Sequence, residues 1–135
     1  MKPGNVETSK GIKHIFEAAG YTFNGLKAAF HETAFCLEFI ILVLIPIVGL
    51  CLGYDLQFLL LAVAAWLGVM CVELINTAIE AVVDLASPEY HELAKKAKDL
   101  GSAAVAVAVA VNCIVWLVYL ADFYQIFFNY HRLGE

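Results

Sequence analysis

Polar and apolar positions follow two regimes along this chain. From Gly11 to Phe30 the spacing is helical: Ile12, Ile15, Phe16, Ala19, Phe23, Leu26 and Phe30 fall at i, i+3, i+4, i+7, i+11, i+14 and i+18. Lys10, Lys13, Glu17, Asn24 and Lys27 lie between them. That pattern predicts an amphipathic helix lying in a membrane interface, with Gly20 and Gly25 as weak points. Beyond it the polar residues thin out for long runs. Residues 34–53, 56–85 and 92–121 each contain enough consecutive apolar residues to cross a bilayer. Gly53, Tyr54 and Asp55 leave room only for a short turn, so the first two spans form an antiparallel hairpin. Pro46 is expected to kink the first span. Ser87 and Pro88 end the second, with Ser87 as N-cap and Pro88 in the first turn of the next helix. Residues 1–10 are polar, carry Pro3 and Gly4, and are expected to be disordered. No signal peptide is expected, because no apolar core and small-residue cleavage site follow the basic start. The expected fold is all-α: an amphipathic surface helix over 11–31, a three-helix transmembrane domain over 32–128, and a tail over 129–135.

One stretch breaks the apolar regime. Glu73 to Asp84 reads E-L-I-N-T-A-I-E-A-V-V-D and continues the second span. Glu73, Asn76, Glu80 and Asp84 stand at i, i+3, i+7 and i+11. At about 100° per residue they occupy a stripe roughly 80° wide, with Thr77 on its edge. A carboxylate at the bilayer centre costs about 2.5–3.5 kcal/mol, so a column of polar groups on one helix face needs a partner helix, a metal or a wet cleft.

Composition sharpens this. The 135 residues are 62% hydrophobic, and mean hydropathy is +0.80, too apolar for an ordinary soluble domain. A formal net charge of −5 argues against a nucleic-acid partner. Cys36, Cys51, Cys71 and Cys113 lie in or beside apolar runs without C-x-x-C spacing, as small buried hydrophobes do. The chain contains no P-loop, dinucleotide fingerprint, nucleophile elbow or H-E-x-x-H. Lys2, Lys10, Lys13 and Lys27 precede the first span, and Lys95, Lys96 and Lys98 lie between the second and third. This asymmetry predicts a cytoplasmic N-terminus. The aromatic run Trp116, Tyr119, Phe123, Tyr124, Phe127, Phe128 and Tyr130 suits an interfacial belt. Asn112, inside the third span, is expected to hydrogen-bond between helices.

On the helix after Pro88, Lys95, Lys98, Asp99 and Ser102 share one face, which the turn folds back toward the acidic stripe. Glu32 arrives at the same depth. Carboxylates suit Mg²⁺, which keeps waters and phosphates as further ligands. Lysines suit a polyphosphate, and a carboxylate free of metal can take a hydroxyl proton. That is equipment for phosphoryl transfer. Membrane carboxylates with lysines can equally serve ion or proton translocation in a small oligomeric channel.

The runs A-A-G-Y-T-F-N-G-L-K-A-A (Ala18–Ala29), Glu32 and Glu38 bracketing Phe35, E-L-I-N-T-A-I-E-A-V-V-D (Glu73–Asp84) and E-Y-H-E-L-A-K-K-A-K-D-L-G-S-A-A-V (Glu89–Val105) closely resemble the prokaryotic diacylglycerol kinase family, in order and spacing. The resemblance implies a small homotrimeric enzyme of the bacterial inner membrane, multi-pass, with sites shared between subunits. It implies transfer of the γ-phosphate of Mg-ATP to a lipid hydroxyl. Position by position, Glu73 matches the general base, and Glu32 and Glu80 match the metal carboxylates. The nucleotide-binding set is His14, Tyr21, Glu32, Asn76, Glu80, Glu89, Tyr90, His91, Lys98 and Asp99. The lipid-facing set is Ala18, Ala19, Gly20, Tyr21, Thr22, Phe23, Glu38, Glu73 and Ser102. Diacylglycerol is the implied acceptor. Undecaprenol, used by related proteins of this fold, is the alternative.

The chain departs from the family pattern in places. His14 stands where many members have Arg, and a neutral imidazole does not reproduce a guanidinium fork. Phe23 replaces a common Trp, Leu37 replaces a polar amide, and one residue is missing between Phe30 and Glu32.

Overall fold

The computed structural model describes residues 6–133, with side chains for residues 13–121 and Tyr124. The described chain is four helices: α1 (Val6–Ala29), α2 (Thr33–Cys51), α3 (Leu56–Ala86) and α4 (Glu92–Leu133). Three carry stretches long and apolar enough to cross a membrane: Thr33–Cys51, Leu56–Ala86 and Glu92–Ala121. At 1.5 Å per residue the 31 residues of α3 extend about 46 Å, well beyond the roughly 30 Å of a hydrocarbon core. The acidic end of α3 therefore has length to spare.

Several boundaries differ from the sequence expectation. α1 starts at Val6 and takes in residues 6–10, while residues 1–5 lie outside the described part. α2 runs from Thr33 to Cys51 with Pro46 inside it, starting one residue before and ending two before the expected span. α4 does not start at Pro88. Residues 87–91 are non-helical, and the helix begins at Glu92. Ser87 has φ −140° and ψ 76°, in keeping with the steric bar to α geometry before proline. Its hydroxyl donates to the Glu89 carbonyl (3.0 Å), and His91 Nδ1 accepts from the Leu93 N–H (3.2 Å). His91 thus supplies the cap expected of Ser87. α4 also continues to Leu133, through most of the expected tail. The side chains of Phe123, Phe127, Phe128 and Tyr130 lie outside the described residues.

α3 is the central helix and packs against both α4 and α2. It runs antiparallel to α4 in constant register. Phe58 stacks on Tyr119 and Asn76 meets Gly101, positions 18 apart on each helix (76 − 58 and 119 − 101). The turn between α2 and α3 places Gly53 at φ +78°, where a side chain would strain the backbone. Asp55 then caps α3, accepting from the Phe58 N–H (2.9 Å) and from the Tyr119 hydroxyl (2.9 Å). Phe58 and Tyr119 are stacked at 3.4 Å and 12°, and Trp116 meets Phe58 edge-on at 4.9 Å. This aromatic knot joins a core of Ile45, Leu59 and Ala62. A second core, Ala29, Phe35 and Met70, lies nearer the acidic end. Trp66 links the two, and its indole N–H donates to the Glu38 carbonyl (2.8 Å), tying α3 to α2.

Much of the apolar surface faces outward: Ile40, Leu44, Leu60, Ile75, Val82 and Val107 are all exposed on the single chain. Water does not tolerate such a surface, whereas lipid or a neighbouring membrane helix does. Asn112 is only 4% exposed. Its Nδ2 has no partner among the described residues, so the expected interhelical hydrogen bond is not formed within one chain.

Candidate active site

The acidic stripe survives in the folded chain, and burial grades along it. Glu73 is 9% exposed and Asn76 8%, while Glu80 is half-buried and Asp84 exposed. Asp84 stays exposed although α4 runs beside it and Lys98 of α4 pairs with it. Glu73 lies within Coulomb reach of Glu32, Glu38 and Glu80. Four carboxylates from the start of α2, its second turn and α3 thus converge. Repulsion among them in a poorly solvated place favours a cation or a shared proton there.

Asn76 points from this cluster to α4. Its amide donates a long hydrogen bond to Glu80 Oε1 (3.5 Å). Its buried Oδ1 has no partner and occupies the space a Cβ on residue 101 would need. Gly101 is buried, and the close helix approach depends on its missing side chain. Glu38 is half-buried with Oε2 also unpartnered. Two orphaned buried oxygens beside a carboxylate cluster are unusual, and they suit a site that an incoming group completes.

A second cleft, of about 340 Å³, lies at the turn between α3 and α4. Asp84, Glu89, Tyr90, His91, Lys98 and Asp99 line it. Lys98 Nζ pairs with Asp84 Oδ1 (2.5 Å), and Lys95 Nζ pairs with Asp99 Oδ2 (2.6 Å). Lys98 also feels the charge of Glu80, so the two groups are electrostatically continuous. A third cleft, of about 570 Å³, separates α1 from α3. Its lining includes Thr22, Glu32 and Thr77.

The structure thus brings together Glu32, Glu38, Glu73, Asn76 and Glu80 as one cluster. It gathers Glu89, Tyr90, His91, Lys98 and Asp99 as a second. The remaining sequence candidates lie apart. His14, Ala18, Ala19, Gly20, Tyr21 and Phe23 are exposed along α1, and Thr22 of that run borders the α1–α3 cleft. Ser102 is exposed while its neighbour Gly101 is buried.

The prokaryotic diacylglycerol kinase family model matches residues 20–120, most of the chain and all three apolar helices. The chain belongs to that family. Similar proteins carry the name diacylglycerol kinase. The one from Escherichia coli (strain K12) is 43% identical over 111 residues, covering 82% of this chain and 91% of its own. That from Haemophilus influenzae is 43% identical over 108 residues (78% and 91%). That from Pseudomonas aeruginosa is 41% identical over 122 residues (89% and 98%).

A kinase of this family implies a phosphate donor with a metal. The donor set here is hard oxygen, which fits a magnesium-type ion. Among the described residues no three His, Cys, Asp or Glu side chains converge tightly enough to enclose a metal. A cation here would therefore draw further ligands from water and phosphate, which is the habit of Mg²⁺. Two contributors were not singled out from sequence: Trp66 holds the Glu38 backbone and Gly101 admits Asn76. Thr77, at the edge of the acidic stripe, borders the α1 cleft. For Gly101 the signal existed: an isolated glycine inside a helical pattern marks close approach. Trp66 offered none, because its partner lies 28 residues away.

Proposed function

We propose that the chain is an ATP-dependent lipid kinase that moves the γ-phosphate of Mg-ATP onto the hydroxyl of diacylglycerol, giving phosphatidic acid and ADP. The observation that carries this reading is the junction of a buried carboxylate, Glu73, with a lysine-bearing cleft at the α3–α4 turn, in a chain of this family. Glu73 takes the proton from the acceptor hydroxyl, and the oxygen attacks the γ-phosphorus as the bond to ADP breaks. Lys98, steered by Asp84, offers N–H donors to the phosphates. Asn76 supports them with its amide, and Glu89, Tyr90 and His91 border the nucleoside end. Mg²⁺, held by Glu32 and Glu80 together with the phosphates, would neutralise charge on the phosphate oxygens.

The assembly we propose is a homotrimer in the bacterial inner membrane, with a cytoplasmic N-terminus and α1 as an amphipathic interfacial helix. Two features support it. Large apolar side chains face outward on α2, α3 and α4. His14, Tyr21 and Ser102 stand away from the acidic cluster of their own chain, as expected of a site completed by a neighbour.

The test is transfer of labelled γ-phosphate in bilayers offering diacylglycerol and undecaprenol side by side. Label on diacylglycerol supports the reading. Label mainly on undecaprenol moves the acceptor and keeps the chemistry. No label on either from folded protein removes the kinase reading in favour of ion translocation, which flux measurements would then address.

A further inference from the structure

We infer that Thr77 is a substrate-binding residue whose hydroxyl donates a hydrogen bond to an ester carbonyl of the acceptor lipid, in the cleft between α1 and α3. The inference rests on the lipid-kinase reading and deepens it.

The cleft is bounded by small side chains, including Gly25, Ala28, Ala78 and Ala81, which leave the space open. Its polar side chains are Thr22, Glu32 and Thr77. Ester carbonyls accept hydrogen bonds and cannot donate them, so a diacylglycerol backbone placed here needs a protein donor. Backbone N–H groups on these helical faces are used within the helices. Ionised Glu32 is an acceptor only. Thr22 already donates its hydroxyl to the Ala18 carbonyl four residues back (3.0 Å), the usual fate of a helical threonine. Thr77 does not follow that habit: among the described residues it has no hydrogen-bond partner. It is half-buried and lies one turn from Glu73 on the same helix. The cleft therefore holds one uncommitted donor, a turn away from the proposed base, about 100° around α3 from the Asn76 face that meets α4.

The experiment compares 1,2-dioleoylglycerol with its dialkyl-ether analogue, which lacks the ester carbonyls, as acceptors for wild type, Thr77→Val and Thr77→Ser. In the wild type the ether KM is expected to exceed the ester KM by about five-fold, the worth of one neutral hydrogen bond. In Thr77→Val the ester KM rises to the ether value while the KM for ATP stays unchanged, and Thr77→Ser restores the difference. Should Thr77→Val fail to fold, Thr77→Ala makes the same comparison. Equal KM values for both lipids in active wild type, or a preference that persists in Thr77→Val, overturns the assignment of Thr77 alone. A wild type inactive on both lipids overturns diacylglycerol as the acceptor with it.

Discussion

Gly101→Ala isolates the role of Asn76 without touching it. A Cβ at residue 101 would collide with Asn76 Oδ1, the end of a movable side chain, and not with backbone. The collision is therefore relieved by swinging the amide, at a cost of about 0.5–1.5 kcal/mol for an off-rotamer torsion. Replacing a helical glycine by alanine returns about 1 kcal/mol. The two nearly cancel, so thermal unfolding in detergent should change little. Activity should not be spared, because the displaced amide loses Glu80 and the place beside the phosphates proposed for it. A hydrogen bond to a charged group is worth about 1.5–3 kcal/mol, which predicts a fall in kcat/KM for ATP of about 10- to 100-fold. Asn76→Ala should cause a similar fall, and combining the two should add almost nothing, since both remove the same interaction. Full activity in Gly101→Ala beside a crippled Asn76→Ala would refute the reasoning. So would additive losses in the double variant.

Other expectations follow from the contacts away from the carboxylates. The Phe58 N–H and then the Tyr119 hydroxyl hold the Asp55 carboxyl below its ordinary range. A carboxyl depressed by folding contributes stability that is complete above the unfolded value of about 3.9 and is lost as pH falls through the lower folded value. Thermal unfolding in detergent between about pH 6 and pH 3 should show that loss at the acid end, and Asp55→Asn should flatten the curve. Trp66→Phe removes the donor to the Glu38 carbonyl and should cost about 1 kcal/mol in unfolding free energy, with activity reduced because Glu38 loses its anchor. Unchanged stability and activity would show that the indole contact is incidental. Chelation of divalent metal should abolish transfer, and added Mg²⁺ should restore it.

What the sequence made legible was what periodicity encodes. The apolar runs mark the three long helices, and i, i+3, i+7 spacing puts Glu73, Asn76 and Glu80 on one face. Local spacing also turned the Lys98 face back toward the acidic stripe, and the structure pairs Lys98 with Asp84. Relations between distant segments were not legible. That Asn76 faces α4 while Thr77 faces α1 depends on where neighbouring helices dock, and a stripe on one helix does not say which neighbour lies on which side. The Asp55–Tyr119 bond joins residues 64 apart through the hairpin and the antiparallel return of α4. The start of α4 was misplaced because Ser87 and Pro88 match a helix-start pattern, whereas the chain keeps non-helical geometry until His91 supplies the cap. Asn112 shows the limit in the other direction. Its residue type suggested a partner, and its buried Nδ2 has none among the described residues.

The central claim is that the buried carboxylate of the stripe performs proton abstraction for phosphoryl transfer. The direct measurement is Glu73→Gln assayed in parallel for Mg-ATP binding and for transfer of labelled γ-phosphate to diacylglycerol. Glutamine keeps the shape and removes the base. Nucleotide affinity should stay within about two-fold of wild type and transfer should fall by at least 100-fold, the usual range for loss of a general base. Near-normal transfer in the variant would show that Glu73 is not the base.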